Sequence, residues 1–202
     1  MLKKKPYPFR SVRRIGTCAK ISRNRSTKSA PMAAAHQRRL LHRDLKPENI
    51  FLANSEDSEI AKILDFGVAK PIASADTTSS SGQTGPGMLV GTLKYMSPEE
   101  LRGGKLAESW DVWALAVVAY EMLTGIHPFD GSTSLDISNR ILAGQVTPLR
   151  THFPEGPASL QRFFDRAPAV QVEARPASAL GLYSEFGDIL NNLRTEPPGM
   201  EV

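Results

Sequence analysis

Residues 42–52 read H-R-D-L-K-P-E-N-I-F-L, and residues 65–67 read D-F-G after a short gap. The first stretch sets a carboxylate, an amine and an amide just before an apolar run at 50–52. A second apolar run at 61–64 precedes D-F-G, and a polar segment at 54–57 lies between the two runs. This pattern predicts two short strands joined by a turn. Two ordered motifs of this kind are far more specific than an isolated glycine-rich loop.

Both motifs resemble those of the protein kinases, whose catalytic loop reads H-R-D-L-x-x-x-N and whose metal-binding motif reads D-F-G. Phosphoryl transfer needs an aligned hydroxyl and neutralised phosphate charge, and Mg2+ prefers oxygen ligands. The resemblance implies that Asp44 aligns the substrate hydroxyl and takes its proton, while Lys46 steadies the transferred phosphate. It also implies two Mg2+ ions, held by Asn49 and Asp65. The expected ATP contacts are Lys46, Glu48, Asn49, Leu52 and Asp65.

The segment that follows Asp44 bears on the substrate. Its K-P-E sequence at 46–48 resembles serine/threonine kinases, because tyrosine kinases usually carry a different segment there. Thr92 resembles the threonine that touches the catalytic aspartate and lysine and helps to select such substrates. Residues 96–101 and 123–129 resemble bacterial kinases of the eukaryotic type. The expected partner is therefore a protein that offers a serine or threonine hydroxyl.

Three further residues resemble parts of the kinase framework. Asp111, in S-W-D-V-W at 109–113, resembles the buried aspartate that holds the backbone of the catalytic loop. Glu99 resembles the glutamate of A-P-E, with Ser97 in place of the usual alanine, and Arg175 resembles its arginine partner. A buried pair would lose about 3–5 kcal/mol when one partner is removed, whereas a surface pair is worth under about 1 kcal/mol. The ordered motifs around the pair favour burial.

The resemblance implies a mainly α-helical fold with a small β-hairpin, as in the large lobe of a kinase. We expect this lobe at residues 32–190, between a basic disordered leader at 1–31 and a tail at 191–202. The apolar stretch at 110–123 predicts a buried helix that ends at Gly125. Other helices are predicted at 32–41, 135–142, 159–166 and 177–190.

The features of a kinase small lobe are missing from this sequence. Gly16 is the only glycine before Gly67, and no acidic residue precedes Asp44, so the glycine-rich loop and the helix glutamate have no counterpart. The stack of side chains that joins the two lobes would pass through His42 and Phe66 and lack its upper members. We expect an N-terminally truncated lobe that binds ATP weakly and leaves an apolar face open to a kinase or another protein partner.

The basic character of the chain belongs to its first 30 residues. They hold ten basic residues and no acid, whereas the remainder has 15 basic against 21 acidic residues, a formal charge of −6. Such a leader could be a transit peptide, an arm that binds nucleic acid or anionic lipid, or a translated remnant without function; the last is favoured. The single cysteine, Cys18, excludes an intramolecular disulfide framework and fits a reducing compartment.

The expected activation segment runs from Asp65 to Glu99 and spans 35 residues. Its middle, at 77–85, is rich in Ser, Thr and Gly and is predicted to be flexible. Arg43 precedes the catalytic aspartate, and kinases with this arginine are often switched on by a phosphate that pairs with it and orders the segment. Composition does not choose among the candidate phosphosites Thr77, Thr78 and Thr84.

Two functions therefore compete. The first is a serine/threonine protein kinase, favoured by the joint retention of its catalytic and metal-binding residues. The second is a non-catalytic lobe that binds a partner, or an inactive truncated product, favoured by the missing small lobe. The apolar stretch at 110–123 is shorter than the roughly 20 residues of a membrane span, and no export signal is found. We therefore expect a cytoplasmic protein without a membrane span.

Overall fold

The computed structural model describes residues 31–55, 58–64, 70–71, 93–154 and 156–195, which are mainly helical. The helices are α1 (Pro31–Gln37), α2 (Pro98–Leu101), α3 (Glu108–Thr124), α4 (Ser134–Ala143), α5 (Leu149–His152), α6 (Ala158–Arg166) and α7 (Ala179–Thr195). Single turns of 3-10 helix lie at Pro47–Asn49 and Val172–Ala174. The strands are β1 (Leu40–Leu41), β2 (Ile50–Ser55), β3 (Ser58–Ile63) and β4 (Lys70–Pro71). The predicted fold class, mainly α with a small hairpin, is confirmed.

Helix α3 lies at the centre of the described fold. Its sequence is apolar on every side, and a helix of that kind is stable only when it is surrounded by other elements. Eleven of its 17 residues are accordingly buried. The helix ends at Gly125, whose φ of 75° lies in the left-handed region that glycine adopts at little cost. The predicted helix and its glycine cap are both confirmed.

Three groups of buried side chains share α3. Toward α5, α6 and α7, Tyr120 meets Phe164 edge-on with ring centroids 5.4 Å apart. Toward α4, Trp113 stacks on Phe129 at 5.3 Å. Toward α1, Ala114 packs in a group that includes Leu45 of the catalytic loop. Because one helix belongs to all three groups, it fixes the catalytic loop relative to the helices behind it.

The predicted β-hairpin is present, but its strands are longer than expected. β2 and β3 pair in antiparallel fashion from Ile50 opposite Ile63 to Ser55 opposite Ser58. The predicted bounds, 50–52 and 61–64, were therefore wrong. Asn54 and Ser55, which were assigned to the turn, continue the ladder instead, because backbone hydrogen bonds form whatever the side chain.

The predicted helix at 32–41 is also shorter in the structure. α1 ends at Gln37, and Leu40–Leu41 form β1, which pairs with β4. The turn between them needs a left-handed residue, and Arg39 supplies it with a φ of 55°. Glycine usually marks such a helix end, so a run of good helix formers followed by arginine gave no sequence signal for it.

The remaining predicted helices are confirmed with small changes at their ends. α4 begins with a capping box in which Thr133 Oγ1 accepts from the Asp136 backbone at 3.1 Å, and Asp136 Oδ2 accepts from the Thr133 backbone at 3.0 Å. α7 continues to Thr195, which carries it five residues into the segment predicted as a tail.

Candidate active site

The catalytic-loop residues predicted from the sequence lie together between β1 and β2. Lys46 Nζ donates to both carboxylate oxygens of Asp44, at 3.0 and 2.7 Å. Asn49 Nδ2 donates to the backbone carbonyl of Asp44 at 2.7 Å and to its Oδ2 at 3.1 Å. The side chains of Asp44 and Lys46 are 21% and 24% exposed. The carboxylate is thus held from two sides and can still be reached from solvent.

A proline-initiated turn brings Asn49 back to Asp44. The 3-10 turn begins at Pro47, a residue without an N–H to satisfy at a helix start. The Asn49 backbone N–H donates to the Lys46 carbonyl at 3.0 Å. β2 starts at the next residue, so the amide is fixed between a turn and a strand.

Asp111 of α3 holds the backbone of this loop. Its carboxylate, 1% exposed, accepts hydrogen bonds from the backbone N–H of His42 at 2.9 Å and from that of Arg43 at 3.0 Å. His36 Nε2 donates to the same carboxylate at 2.9 Å. A buried carboxylate must be satisfied by such donors, and these three contacts tie the loop to α3 and α1. The geometry agrees with the role predicted for Asp111.

The conformation of Arg43 shows why this restraint is needed. Its φ of 68° lies in the left-handed region, which costs a residue with a side chain about 1–2 kcal/mol. Strained backbone of this kind persists where its surroundings hold it in place. The carboxylate of Asp111 holds Arg43 in this conformation, one residue before Asp44.

His42 links the loop to the end of the hairpin. It is fully buried, and its Nε2 donates to the Leu64 carbonyl at 2.9 Å. Leu64 immediately precedes Asp65 in the sequence. The loop and the start of the D-F-G motif are therefore joined by a hydrogen bond between a buried side chain and the backbone.

Several predicted site residues fall outside the described part of the chain, and their roles stay predictions. Leu52 belongs to β2, opposite Ala61, and its expected contact with adenine is likewise untested. Glu48 lies exposed in the 3-10 turn. The residues outside the described part are Asp65, Phe66, Gly67, Thr77, Thr78, Thr84 and Thr92.

The orientation of Asn49 fits a magnesium ligand. Its amide nitrogen makes both hydrogen bonds to Asp44, which leaves the carbonyl oxygen Oδ1 without a donor among the described residues. The side chain is largely buried, at 7% exposure. An amide oxygen carried by a side chain fixed in this way is a ligand that hard cations prefer.

A second charged group, away from the loop, joins α2 to the segment before α7. Arg175 donates to both carboxylate oxygens of Glu99, each at 2.7 Å. The side chain of Arg175 is 1% exposed and that of Glu99 22% exposed. Burial alone would raise the pKa of Glu99, but the hydrogen bonds and charge of Arg175 outweigh it and hold the pKa below its usual value. The predicted pair is present, with Arg175 buried and Glu99 only partly buried.

The structure adds partners to this pair that sequence reasoning missed. Arg175 also donates to the carbonyls of Ala169 at 2.7 Å and Ser109 at 3.1 Å, and its guanidinium lies 4.9 Å from the ring centre of Trp113. Ser109 Oγ donates to Glu99 at 2.9 Å. These contacts involve backbone carbonyls and residues distant in sequence, so no local sequence pattern predicts them.

Ser97 is the N-cap of α2, where the sequence suggested only a small residue. Its Oγ accepts from the backbone N–H of Glu100 at 3.2 Å. The pattern S-x-x-E at 97–100 is a capping box signature. That signal was available in the sequence and would have identified both residues.

A further buried group lies between α3 and the residues before α2. The Tyr95 hydroxyl donates to Glu121 at 2.7 Å, and burial, followed by the Glu121 charge, raises the pKa of Tyr95. His127 lies edge-on to Tyr95 with ring centroids 5.4 Å apart. Its Nδ1 accepts from the Phe129 backbone at 3.2 Å, and burial lowers its pKa to about 4. His127 is therefore a neutral packing residue at physiological pH.

Among the described residues, none of the helices has both the length and the apolar composition that crossing a membrane requires.

Comparison with known proteins agrees with this geometry. Residues 25–186 match the family model described as the protein kinase domain. The chain is 34% identical over 158 residues to the serine/threonine-protein kinase pkn3 of Myxococcus xanthus, covering 77% of this chain and 28% of the relative. It is 34% identical over 162 residues to PknL of Mycobacterium tuberculosis (80% and 38%) and 33% identical over 138 residues to PrkC of Bacillus subtilis (68% and 20%).

These matches confirm the resemblance read from the motifs, including the likeness to bacterial serine/threonine kinases. The family match begins at residue 25, within the segment predicted as a leader. The chain spans only 20–38% of the length of the three relatives. A loop that joins an aspartate, a lysine and an asparagine over a buried aspartate, together with a family match across most of the sequence, places this chain in the protein kinase family.

Proposed function

We propose that this chain is the catalytic region of a serine/threonine protein kinase, which transfers the γ-phosphate of ATP to a protein hydroxyl. The observation that carries the proposal is the cluster of Asp44, Lys46 and Asn49 on a loop held by buried Asp111. Phosphoryl transfer depends on positioning and electrostatic stabilisation more than on covalent help from the protein. This loop offers fixed polar groups at a surface that substrates can reach.

Asp44 is suited to orient the substrate hydroxyl. In the proposed reaction the hydroxyl oxygen bonds to the γ-phosphorus, the bond from that phosphorus to the bridging oxygen of ADP breaks, and the hydroxyl proton passes to the Asp44 carboxylate. Lys46 Nζ lies 2.7 Å from this carboxylate. Its charge is therefore close enough to balance the phosphate that arrives at Asp44.

Protein kinases use ATP together with Mg2+, which neutralises charge on the phosphate oxygens. For this chain we propose Asn49, through Oδ1, and Asp65 as the residues that hold the metal. The free Oδ1 of the buried Asn49 amide supports the first assignment. The second comes from the D-F-G motif alone.

The proposal is tested by phosphate transfer from γ-labelled ATP with Mg2+, using purified full chain and casein as the protein substrate. We expect label on serine or threonine, and a loss of at least about 100-fold in Asp44→Asn, the range for a general base. Asp130→Asn, at an exposed position away from the loop, serves as the matched control and should transfer as the wild type does. A folded, monodisperse wild type that transfers no label would contradict the proposal.

A further inference from the structure

A small cavity lies beneath the catalytic loop, where the loop, α2 and α3 meet. Its walls include Arg43 and Asp44 from the loop, Glu100 from α2, and Trp110 and Ala114 from α3. Its volume of about 10 Å³ is close to the roughly 10–15 Å³ that one buried water molecule needs. The cavity therefore has room for a single water and for no larger ligand.

Two residues that line this cavity carry a hydrogen-bond donor with no acceptor among the described residues. The donors are Nε of Arg43 and Nε1 of Trp110, and both atoms are buried. Trp110 as a whole is only 9% exposed. Buried donors are normally satisfied by protein or by ordered water. Both donors therefore require an oxygen acceptor, and the cavity is the space that their two residues share.

The same walls carry acceptors for the hydrogens of a water molecule. Asp44 and Glu100 both line the cavity, and an ionised carboxylate has about four lone-pair sites. The carboxylate of Asp44 accepts two hydrogen bonds from Lys46 and one from Asn49, which leaves it able to accept another. A buried water is typically held by two to four polar groups. The residues around this cavity meet that requirement.

We propose that this cavity binds one ordered water molecule, which accepts hydrogen bonds from Nε of Arg43 and Nε1 of Trp110. The water is a second link between the catalytic loop and α3. Asp111 holds the backbone N–H of Arg43 at 3.0 Å, and the water holds the Arg43 side chain against Trp110 of the same helix. Arg43, whose φ lies in the left-handed region, is thus restrained by α3 through both its backbone and its side chain.

The chain offers matched controls for the two donors. Nε1 of Trp113 and Nε of Arg140 are likewise buried without an acceptor among the described residues, yet neither residue lines this cavity. Trp110 and Trp113 are the only tryptophans of the sequence. A signal from a water in the cavity can therefore be separated from a signal that any buried donor would give.

The direct test is a water-selective rotating-frame NOE (ROE) spectrum of the full chain labelled with 15N. We expect an ROE from water to the indole N–H proton of Trp110, with the sign of a dipolar contact and not that of proton exchange. The resonance of Trp110 is identified by its loss in Trp110→Phe. The indole proton of Trp113 should show no such ROE. An absent ROE at Trp110, or ROEs of equal size at both tryptophans, would overturn the proposal.

A water that links the two residues must also contact Arg43. We expect the same ROE at the Nε proton of Arg43, identified by its loss in Arg43→Lys, and none at the Nε proton of Arg140. An ROE at Trp110 without one at Arg43 would contradict the proposed link. These measurements use neither ATP nor phosphate transfer, so this proposal and the proposed kinase function can fail independently.

Filling the cavity tests the position of the water. Because Ala114 lines the cavity, Ala114→Val should displace the water and abolish the ROE at Trp110. Ala119→Val is the matched control, since Ala119 is buried on the same helix among the side chains that face α5, α6 and α7, and it should keep the ROE. An ROE that persists in Ala114→Val would place the water outside the cavity and contradict the proposal. The wild-type spectrum decides the question even where a variant fails to fold.

Discussion

The catalytic loop and the Glu99–Arg175 pair are both built from charged side chains, yet they use charge in different ways. Arg175 is 1% exposed, and its guanidinium donates to Glu99, whose side chain is 22% exposed, and to the carbonyls of Ala169 and Ser109. Asp44 and Lys46 are more than one-fifth exposed and hold each other. The hydrogen bonds of Arg175 are made to groups within the protein. Asp44 and Lys46, in contrast, can exchange their partners for a substrate.

This difference separates residues that hold the fold from residues that do chemistry. A buried pair with several hydrogen bonds is costly to break, because the partner left behind stays buried without compensation. A partly exposed pair is screened by water and contributes little to stability. Asp111 belongs to the first kind although it touches the catalytic loop, since it is buried and bonded to backbone.

The largest effect is expected at Arg175. Arg175→Met should lower the free energy of unfolding by about 3–5 kcal/mol, because Glu99 and several carbonyls lose their donor. Arg166→Met is the matched control: its ion pair with Glu185 is 43% and 37% exposed, and its loss should cost under about 1 kcal/mol. Urea unfolding of both variants makes the comparison, and equal losses would show that the Glu99–Arg175 pair behaves as a surface contact.

The next effect concerns His127 and pH. Its pKa in the fold is about 4 against an ordinary 6.5, so the fold favours neutral imidazole. The stability gained in this way is fully present above pH 6.5 and is lost as the pH falls toward 4, by about 3 kcal/mol in total. His127→Asn keeps an acceptor for the Phe129 N–H and does not titrate. Unfolding free energies measured across this range should fall less steeply in the variant, and parallel curves would contradict the prediction.

The smallest effect is expected at the end of α1. Arg39 has a φ of 55°, so Arg39→Gly should relieve strain and raise the free energy of unfolding by about 1 kcal/mol. Arg38→Gly, one residue earlier and outside the left-handed region, should give no such gain. Thermal unfolding of the two variants distinguishes them, and a loss of stability in Arg39→Gly would show that its side chain makes a stabilising contact.

Much of the fold could be predicted from the sequence, because its signals are local. The apolar run of α3 and the glycine that ends it specify a buried helix in any context. The end of α1 could not be predicted in this way, since Arg39 adopts a conformation that its residue type does not favour. The ends of β2 and β3 were missed because ladder pairing extends through polar residues.

The residues of the candidate site also differ in whether a local sequence signal predicted them. Asp44, Lys46 and Asn49 were predicted because they lie within one motif and the turn at Pro47 brings them together. His36 was missed because its contact with Asp111 depends on the packing of α1 beside α3. Long-range packing of this kind leaves no fixed spacing in the sequence.

The most direct measurement compares Asp44→Asn with Asp111→Asn in the same chain, by urea unfolding and by transfer of labelled phosphate. Asp44→Asn should abolish transfer while changing the free energy of unfolding by under about 1 kcal/mol. Asp111→Asn should lower the free energy of unfolding by about 2–3 kcal/mol, because the backbone N–H groups of His42 and Arg43 lose their buried charged acceptor. If Asp44→Asn unfolds as easily as Asp111→Asn, the catalytic loop and the framework of the fold are not separate, and the assignment of Asp44 to chemistry is wrong.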